Sequence, residues 1–231
     1  FTVTASIKTT RDGTIWSISD GGDKWIPNGQ SFFVRDGKLC FDIGWVGAVQ
    51  GKTTITDNRW HDVAVSWQQS NKTVQLFVDG KLDARGVLAA KEPVTNPVFR
   101  FGFTSPNYPQ SYAFQGEIRE ASFIQKGTDA NSRKFSGFED GDAAILGRWM
   151  FDNQSNTPGH DQTLHKNHAI AKNIHVSSIE QASVTAGVVP TVPQLKWISD
   201  RGALRLVIPA GKETLQFSIW QPASLRAVSY T

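Results

Sequence analysis

The stretch Asp57-Asn-Arg-Trp-His-Asp-Val-Ala-Val-Ser-Trp67, followed by Thr73-Val-Gln-Leu-Phe-Val-Asp-Gly-Lys81, decides the fold of this chain. Val63, Val65 and Trp67 alternate with Ala64 and Ser66, the period of two that gathers alternate side chains on one face of a strand. Val74, Leu76 and Val78 repeat the pattern, so two apolar stripes meet across a hairpin. Asp79-Gly80 then supplies the positive φ that a tight turn needs. The same alternation recurs over residues 1–7, 14–19, 31–35, 38–43, 98–103 and 117–124. Asp12-Gly13, Gly21-Gly22, Asp36-Gly37 and Gln69-Ser-Asn71 punctuate it as turns. Short strands about ten residues apart, joined by Gly, Asn and Asp, predict an all-β chain folded as an antiparallel sandwich of jelly-roll type. Only 128–138, polar and Gly-flanked, reads as a short helical turn.

With 231 residues, 39% of them hydrophobic, the chain can bury the core of one large β domain. Its 24 basic and 21 acidic residues are interspersed, giving +3 overall, and no basic run exceeds two residues. A nucleic-acid partner is not expected from so dispersed a charge. No apolar run reaches a membrane span. The opening on Phe1 without a leader reads as an excised fragment or a mature segment. The single cysteine, Cys40, sits in an alternating segment and reads as a small buried residue; it allows neither an internal disulfide nor a thiolate metal cluster.

A second region begins near Asp142. Residues 143–151 read as a strand, 152–168 as a polar loop and 174–193 as an extended connector. Strands are expected at 194–198, 203–208 and 214–220. Three strands alone are marginal, so they must pack on the main sandwich or on sequence beyond this chain.

The Trp60-His61 pair and the Val78-Asp79-Gly80 turn, at this spacing, resemble the laminin G and pentraxin branch of the concanavalin A-like lectin/glucanase superfamily. Phe114-Gln-Gly-Glu-Ile-Arg-Glu-Ala-Ser-Phe123 resembles the family's closing strand. The resemblance covers roughly residues 1–170 and implies a concanavalin-like sandwich. Leu146-Gly-Arg-Trp-Met-Phe-Asp-Asn153 resembles the element that normally starts such a domain, yet here it follows the closing strand. The order implies a circularly permuted sandwich over 1–173, with 143–172 supplying the strand that usually comes first. A connector over 174–193 and a C-terminal β extension over 194–231 would follow. The tail from Leu204 to Trp220 is similar to segments that follow such modules in large planctomycete proteins carrying cytochrome-c-like domains.

The resemblance also implies a calcium question. Many members of the family bind calcium through an aspartate of the closing strand and one of the starting loop, and calcium needs six to eight oxygen ligands. Here the closing-strand position holds Arg119, and the loop aspartate is Asp161. Arg119 is therefore expected to pair with Asp161 in place of an ion. A register one residue off would instead make Glu120 a ligand and return calcium to contention. No cofactor is expected. His160, His165 and His168 crowd the same loop and could ligate zinc or nickel, but their polar surroundings favour a solvated loop. A haem attachment motif is absent.

Catalysis finds little support in the residues. Glu117 and Glu120, three apart on a regular strand, would point to opposite faces and could not flank one glycosidic bond. His61 reads as framework, since no nucleophile or acid is expected to be placed beside it and the resemblance implies a framework role for the Trp-His pair. Four aromatic residues are the candidate ligand-binding set: Trp25 and Trp45, with Tyr108 and Tyr112 on a Pro- and Asn-rich loop. A planar ring on a loop edge can stack on a sugar or a partner surface. Trp16, Trp60, Trp67 and Trp149 are assigned to the core. The expectation is a non-catalytic module binding glycan or a surface protein, within a larger secreted or periplasmic polypeptide whose other domains are its partners. The alternatives are a structural domain of a multidomain redox protein, or an accessory domain of a glycan-degrading enzyme.

Overall fold

The computed structural model describes residues 1–110, 112–125, 144–151 and 159–172, together with the strands at 175–176, 194–198, 203–207 and 216–219. The strands are β1 Thr2–Thr9, β2 Gly13–Ser19, β3 Gln30–Arg35, β4 Lys38–Ile43, β5 Gly47–Thr54, β6 Trp60–Gln68, β7 Thr73–Val78, β8 Lys81–Val87, β9 Val98–Phe101 and β10 Gly116–Ile124. There follow β11 Ile145–Met150, β12 His160–Asp161, β13 Ala169–Lys172, β14 His175–Val176, β15 Gln194–Ile198, β16 Ala203–Val207 and β17 Gln216–Ile219. None of the described residues is helical, and none belongs to a helix long and apolar enough to cross a membrane. The expected helical turn at 128–138 lies outside the described residues, as does nearly all of the 174–193 connector.

Two seven-stranded sheets face each other. The first runs β12-β11-β10-β1-β6-β7-β8 and the second β13-β17-β9-β2-β3-β4-β5, while β14-β15-β16 form a small third sheet. The hairpin that decided the fold keeps the expected register, with Val63 opposite Val78, Val65 opposite Leu76 and Trp67 opposite Val74. Their inward stripe meets Phe32, Val34, Leu39, Phe41 and Ile43 from β3 and β4 in one continuous core. Trp67 is satisfied there by donating Nε1–H to the Leu88 carbonyl at 3.0 Å.

β5, β8, β12, β13 and β14 are not evident in the sequence; β12 lies within the expected polar loop and β14 within the expected connector. β5 and β8 are edge strands, mostly exposed and rich in Gly, Lys and Thr, so they carry a weak apolar alternation. They close one side of the sandwich. A Cβ on Gly86 would stand 2.4 Å from a methyl of Val49, so only glycine allows this approach. The Asp83 carboxylate crosses the gap and accepts the Lys52 and Thr53 N–H groups, each at 3.0 Å.

The closing strand corrects two expectations. β10 carries a bulge: Ser6 lies opposite Glu120 but Ile7 opposite Ile118, leaving Arg119 as the extra residue. An extra residue reverses the alternation beyond it. Glu117 is opposite Lys8 and Glu120 opposite Ser6, so both glutamates lie on the outer face rather than on opposite faces. Trp60 is not in the core. It lies half-buried on that outer face, opposite Lys8, with the Arg119 guanidinium 4.9 Å above its ring.

β11 pairs with β10 along the first sheet. Its Trp149 enters the core, stacked 5.9 Å from Phe99 and donating Nε1–H to the Asn167 carbonyl at 2.7 Å. β17 lies between β13 and β9 in the second sheet.

Candidate functional site

One end of the second sheet gathers three loops around the hairpin of β4 and β5. The hairpin tip is locked from below. Gly44 N–H donates to the Gly29 carbonyl at 2.7 Å, Asn28 N–H to the Gly44 carbonyl at 2.9 Å, and Val46 N–H to the Ile43 carbonyl at 2.9 Å. Asn28 ties in the third loop by accepting Lys91 N–H on its side-chain oxygen at 2.9 Å. Any Cβ on Gly44 would meet the Ile26 carbonyl oxygen at 2.4 Å, so the tip can sit this low only with glycine. Trp45 stands on this support with φ 60° and 70% of its surface exposed. A left-handed backbone under a bulky residue costs about 1–3 kcal/mol, which the surrounding hydrogen bonds must overcome.

The other three candidate rings lie lower. Trp25 is only 6% exposed and Tyr108 only 4%, which corrects the expectation that both stand out from loop edges. With Phe33 and Cys40 they form a second dry cluster on the outer side of the second sheet, and half-buried Tyr112 packs against it. Tyr108 meets Trp25 edge-on at 4.9 Å and Phe33 at 5.5 Å. The loops are drawn down by polar bonds as well: Trp25 N–H donates to Asn107 Oδ1 at 2.7 Å, and Tyr108 N–H to the Ser105 carbonyl at 2.9 Å. The sequence carries no sign of this covering, because the rings and the strand they cover are far apart along the chain.

Beneath those loops runs a row of outward residues, with Arg100 opposite Ser17, Ser17 opposite Ser31, Ser31 opposite Asp42 and Asp42 opposite Ala48. Ser17 donates to the Phe103 carbonyl at 2.7 Å, and Arg100 reaches the Thr104 and Gly22 carbonyls at 3.3 and 3.1 Å. Asp42 stands at the more open end. Burial pushes its carboxyl up to about 6, while Arg35 and Tyr108 pull the other way. Burial likewise lifts the Cys40 thiol to about 12, which leaves it an inert packing group at neutral pH.

Two other clusters differ from the sequence reading. His61 does have acids beside it: its Nδ1 lies 2.9 Å from Asp79 and its Nε2 3.1 Å from Asp57. Burial alone would lower its pKa, but the hydrogen bonds and charges of the two aspartates together raise it. Both ring nitrogens are occupied, so the imidazole ties the turn before β6 to the turn after β7. Asp161 does not meet Arg119. Its carboxylate is fully buried and accepts the N–H groups of Arg148, Thr163 and Asn167 at 2.9, 2.9 and 2.7 Å, plus the Thr163 hydroxyl at 2.9 Å. Arg119 instead donates to Ser6 Oγ at 2.8 Å and lies 4.0 Å from Asp62. In the histidine loop, the His160 and His168 rings stack at 4.5 Å, and His168 Nδ1 accepts the Asp161 N–H. No three His, Cys, Asp or Glu side chains converge as metal ligands among the described residues.

A family model of the concanavalin A-like lectin/glucanases superfamily, of laminin G type, matches residues 1–131, more than half of the chain. The chain belongs to that family. Among curated proteins no sequence relative is found. Among solved structures, this laminin-G-type chain is similar to a Bacteroides ovatus protein assigned as carbohydrate-binding, at 14% identity and a TM-score of 0.53. That match covers 71% of this chain and 49% of the other, so the chain spans about half of the Bacteroides protein. Further similarities are to a Ruminococcus gnavus sialidase module, CBM40, solved with α2,3-sialyllactose, and to domains LG4-5 of the mouse laminin α1 chain. The first has 17% identity and a TM-score of 0.49, covering 57% of this chain and 79% of that one. The second has 17% identity and a TM-score of 0.44, covering 56% and 36%. At these identities the likeness concerns fold alone.

Proposed function

We propose that this laminin-G-type chain is a non-catalytic glycan-recognition module of a larger extracellular or periplasmic protein, with Trp45 as its stacking platform. The observation that carries the proposal is the state of Trp45: a large ring, 70% exposed, in a left-handed conformation on a tip fastened by three backbone hydrogen bonds. Left exposed and strained, such a ring adds little to stability. As a rigid flat surface beside hydrogen-bonding loops, it suits the apolar face of a pyranose. The buried Trp25 and Tyr108 act under the platform rather than as contacts. The family also includes glucanases, and the two outer-face glutamates bear on that alternative. Glu117 is engaged with Lys8 at 3.6 Å, which supports a structural place for it. We also propose that the sandwich is permuted and runs over 1–173, since β11 pairs with the closing strand β10.

The test is a polysaccharide and oligosaccharide array probed with the chain and with Trp45→Ala. Binding to one glycan class, lost in the variant without a change in melting temperature and without release of reducing ends, is the expected result. No binding to any glycan would overturn the proposal.

A further inference from the structure

We infer that Asp42, flanked by Arg35 at the outer face of the second sheet, is the hydrogen-bonding subsite of this module and takes two neighbouring hydroxyls of a neutral sugar. The inference rests on the glycan-recognition reading above and adds to it the polar half of the site. It begins with a comparison of the aspartates that are not fully exposed. Among the described residues these are Asp12, Asp42, Asp83 and Asp161. Asp12 accepts the N–H groups of Asp36 and Gly37 at 2.8 and 2.9 Å. Asp83 accepts two N–H groups and the Thr53 hydroxyl. Asp161 accepts three N–H groups and a hydroxyl. Asp42 alone accepts no backbone N–H, and its one hydroxyl neighbour is Tyr108.

Its nearest polar neighbour makes the point again. The Tyr108 hydroxyl is buried, with the residue 4% exposed, and lies beside Asp42 and Ser31 without reaching full hydrogen-bond geometry to either. A buried donor and a half-buried acceptor side by side, with no well-formed bond between them, are costly and need an explanation. A ligand hydroxyl donating to one Asp42 oxygen holds the carboxylate ionised, and the other oxygen can then accept a hydrogen bond from the Tyr108 hydroxyl. Opposite Asp42 on β5 is Ala48, small and exposed, which leaves the approach open.

Arg35 supplies the complementary donor. Its guanidinium is fixed on one side by Gln50 Oε1 at 3.2 Å, while Gln50 Nε2 donates back to the Arg35 carbonyl at 3.1 Å. It lies 5.9 Å from the Phe33 ring centre and is near enough to act on the Asp42 charge without pairing with it. One acceptor of charge −1 and one donor of charge +1, held apart, match a pair of sugar hydroxyls in which one donates and the next accepts. The two charges cancel, so a neutral sugar is favoured over a uronate. Asp42 and Trp45 belong to the same hairpin, so stacking and hydrogen bonding come from one rigid element.

The experiment titrates the intact chain with the methyl glycosides of glucose, galactose and mannose, and with glucuronate, by protein-observed NMR at pH 7.5 and pH 5. The variants are Asp42→Asn, Tyr108→Phe and Trp45→Ala, each also melted thermally. At least one neutral glycoside should bind more tightly than glucuronate. Its affinity should fall about tenfold at pH 5, where the carboxyl is protonated, and by tenfold or more in Asp42→Asn at pH 7.5. That variant should at the same time melt higher than the parent, which a purely structural aspartate would not do. Unchanged affinity in Asp42→Asn, with binding still lost in Trp45→Ala, would overturn the subsite and leave the recognition reading standing. Lower melting of Asp42→Asn at neutral pH would also overturn it. If none of these glycosides binds, the subsite falls, and the glycan array alone decides the recognition reading.

Discussion

Between the sheets, Trp16, Phe32, Phe41, Phe101 and Trp67 lie fully buried, held by strands on two sides. On the outer side of the second sheet, Trp25, Phe33, Cys40 and Tyr108 are nearly as dry, but strands support them from below only and loops close over the top. The inner cluster mixes few polar atoms into its packing, so its area burial translates directly into stability. The outer cluster keeps a half-buried carboxylate and an unsatisfied hydroxyl at its rim. Beside the exposed Trp45, they are what the proposed binding role would account for.

The contrast is sharpest in the substitutions expected to separate the clusters. Trp67→Ala should cost about 3–5 kcal/mol, since it opens a large cavity that strands cannot fill and leaves the Leu88 carbonyl without its donor. Denaturant unfolding measures this, and a loss below about 1 kcal/mol would mean the inner cluster is not the main core. Trp25→Ala should cost less, about 2–3 kcal/mol, because the covering loops can settle into the space. Its mark should be faster amide exchange confined to the loops at 20–29 and 105–110; global acceleration would show that the two clusters unfold as one.

Asp42→Asn goes the other way. The folded carboxyl binds its proton more tightly than the unfolded one, so its stability is complete below about pH 4 and falls as pH rises through about 6. Removing the charge should therefore stabilise the chain by about 1–3 kcal/mol at pH 7.5 and by almost nothing at pH 4. Melting curves at the two pH values test the sign. His61 behaves similarly in direction: its raised pKa gives stability that is present below about pH 6.5 and is lost as pH rises through the folded value. Asp42→Asn and His61→Gln can be told apart because only the first raises the melting temperature. The smallest effect is expected for Trp45→Ala, within about 0.5 kcal/mol of the parent. A larger loss would show that the exposed ring packs against something and is not a platform.

Much of the fold was legible because a half-buried strand carries its own signature. Val63, Val65 and Trp67 alternate whatever they pack against, and Asp79-Gly80 turns for local steric reasons, so the hairpin and the sandwich around it follow from short stretches of sequence. The edge strands β5 and β8 were not legible, since a strand exposed on most of its surface has no apolar stripe to announce it. The parity of Glu117 and Glu120 could not be read either. Alternation assumes a regular strand, and the bulge at Arg119 is set by pairing with β1, more than a hundred residues away.

The candidate site divides along the same line. The sequence marked Trp25, Trp45, Tyr108 and Tyr112 as aromatic residues in loops, because residue type and turn composition are local properties. Which ring stands out and which is covered depends on how the loops at 20–29 and 105–110 fold back over β3 and β4, and that is decided by contacts between distant segments. The same holds for charge. Nothing near Asp161 in sequence shows that three backbone N–H groups will converge on it, and nothing near Asp42 shows that none will. Strand, turn and core stripe are thus written in the order of the residues, whereas burial of a loop ring and the hydrogen-bonding fate of a carboxylate arise only when segments remote in the chain are brought together and water is excluded between them.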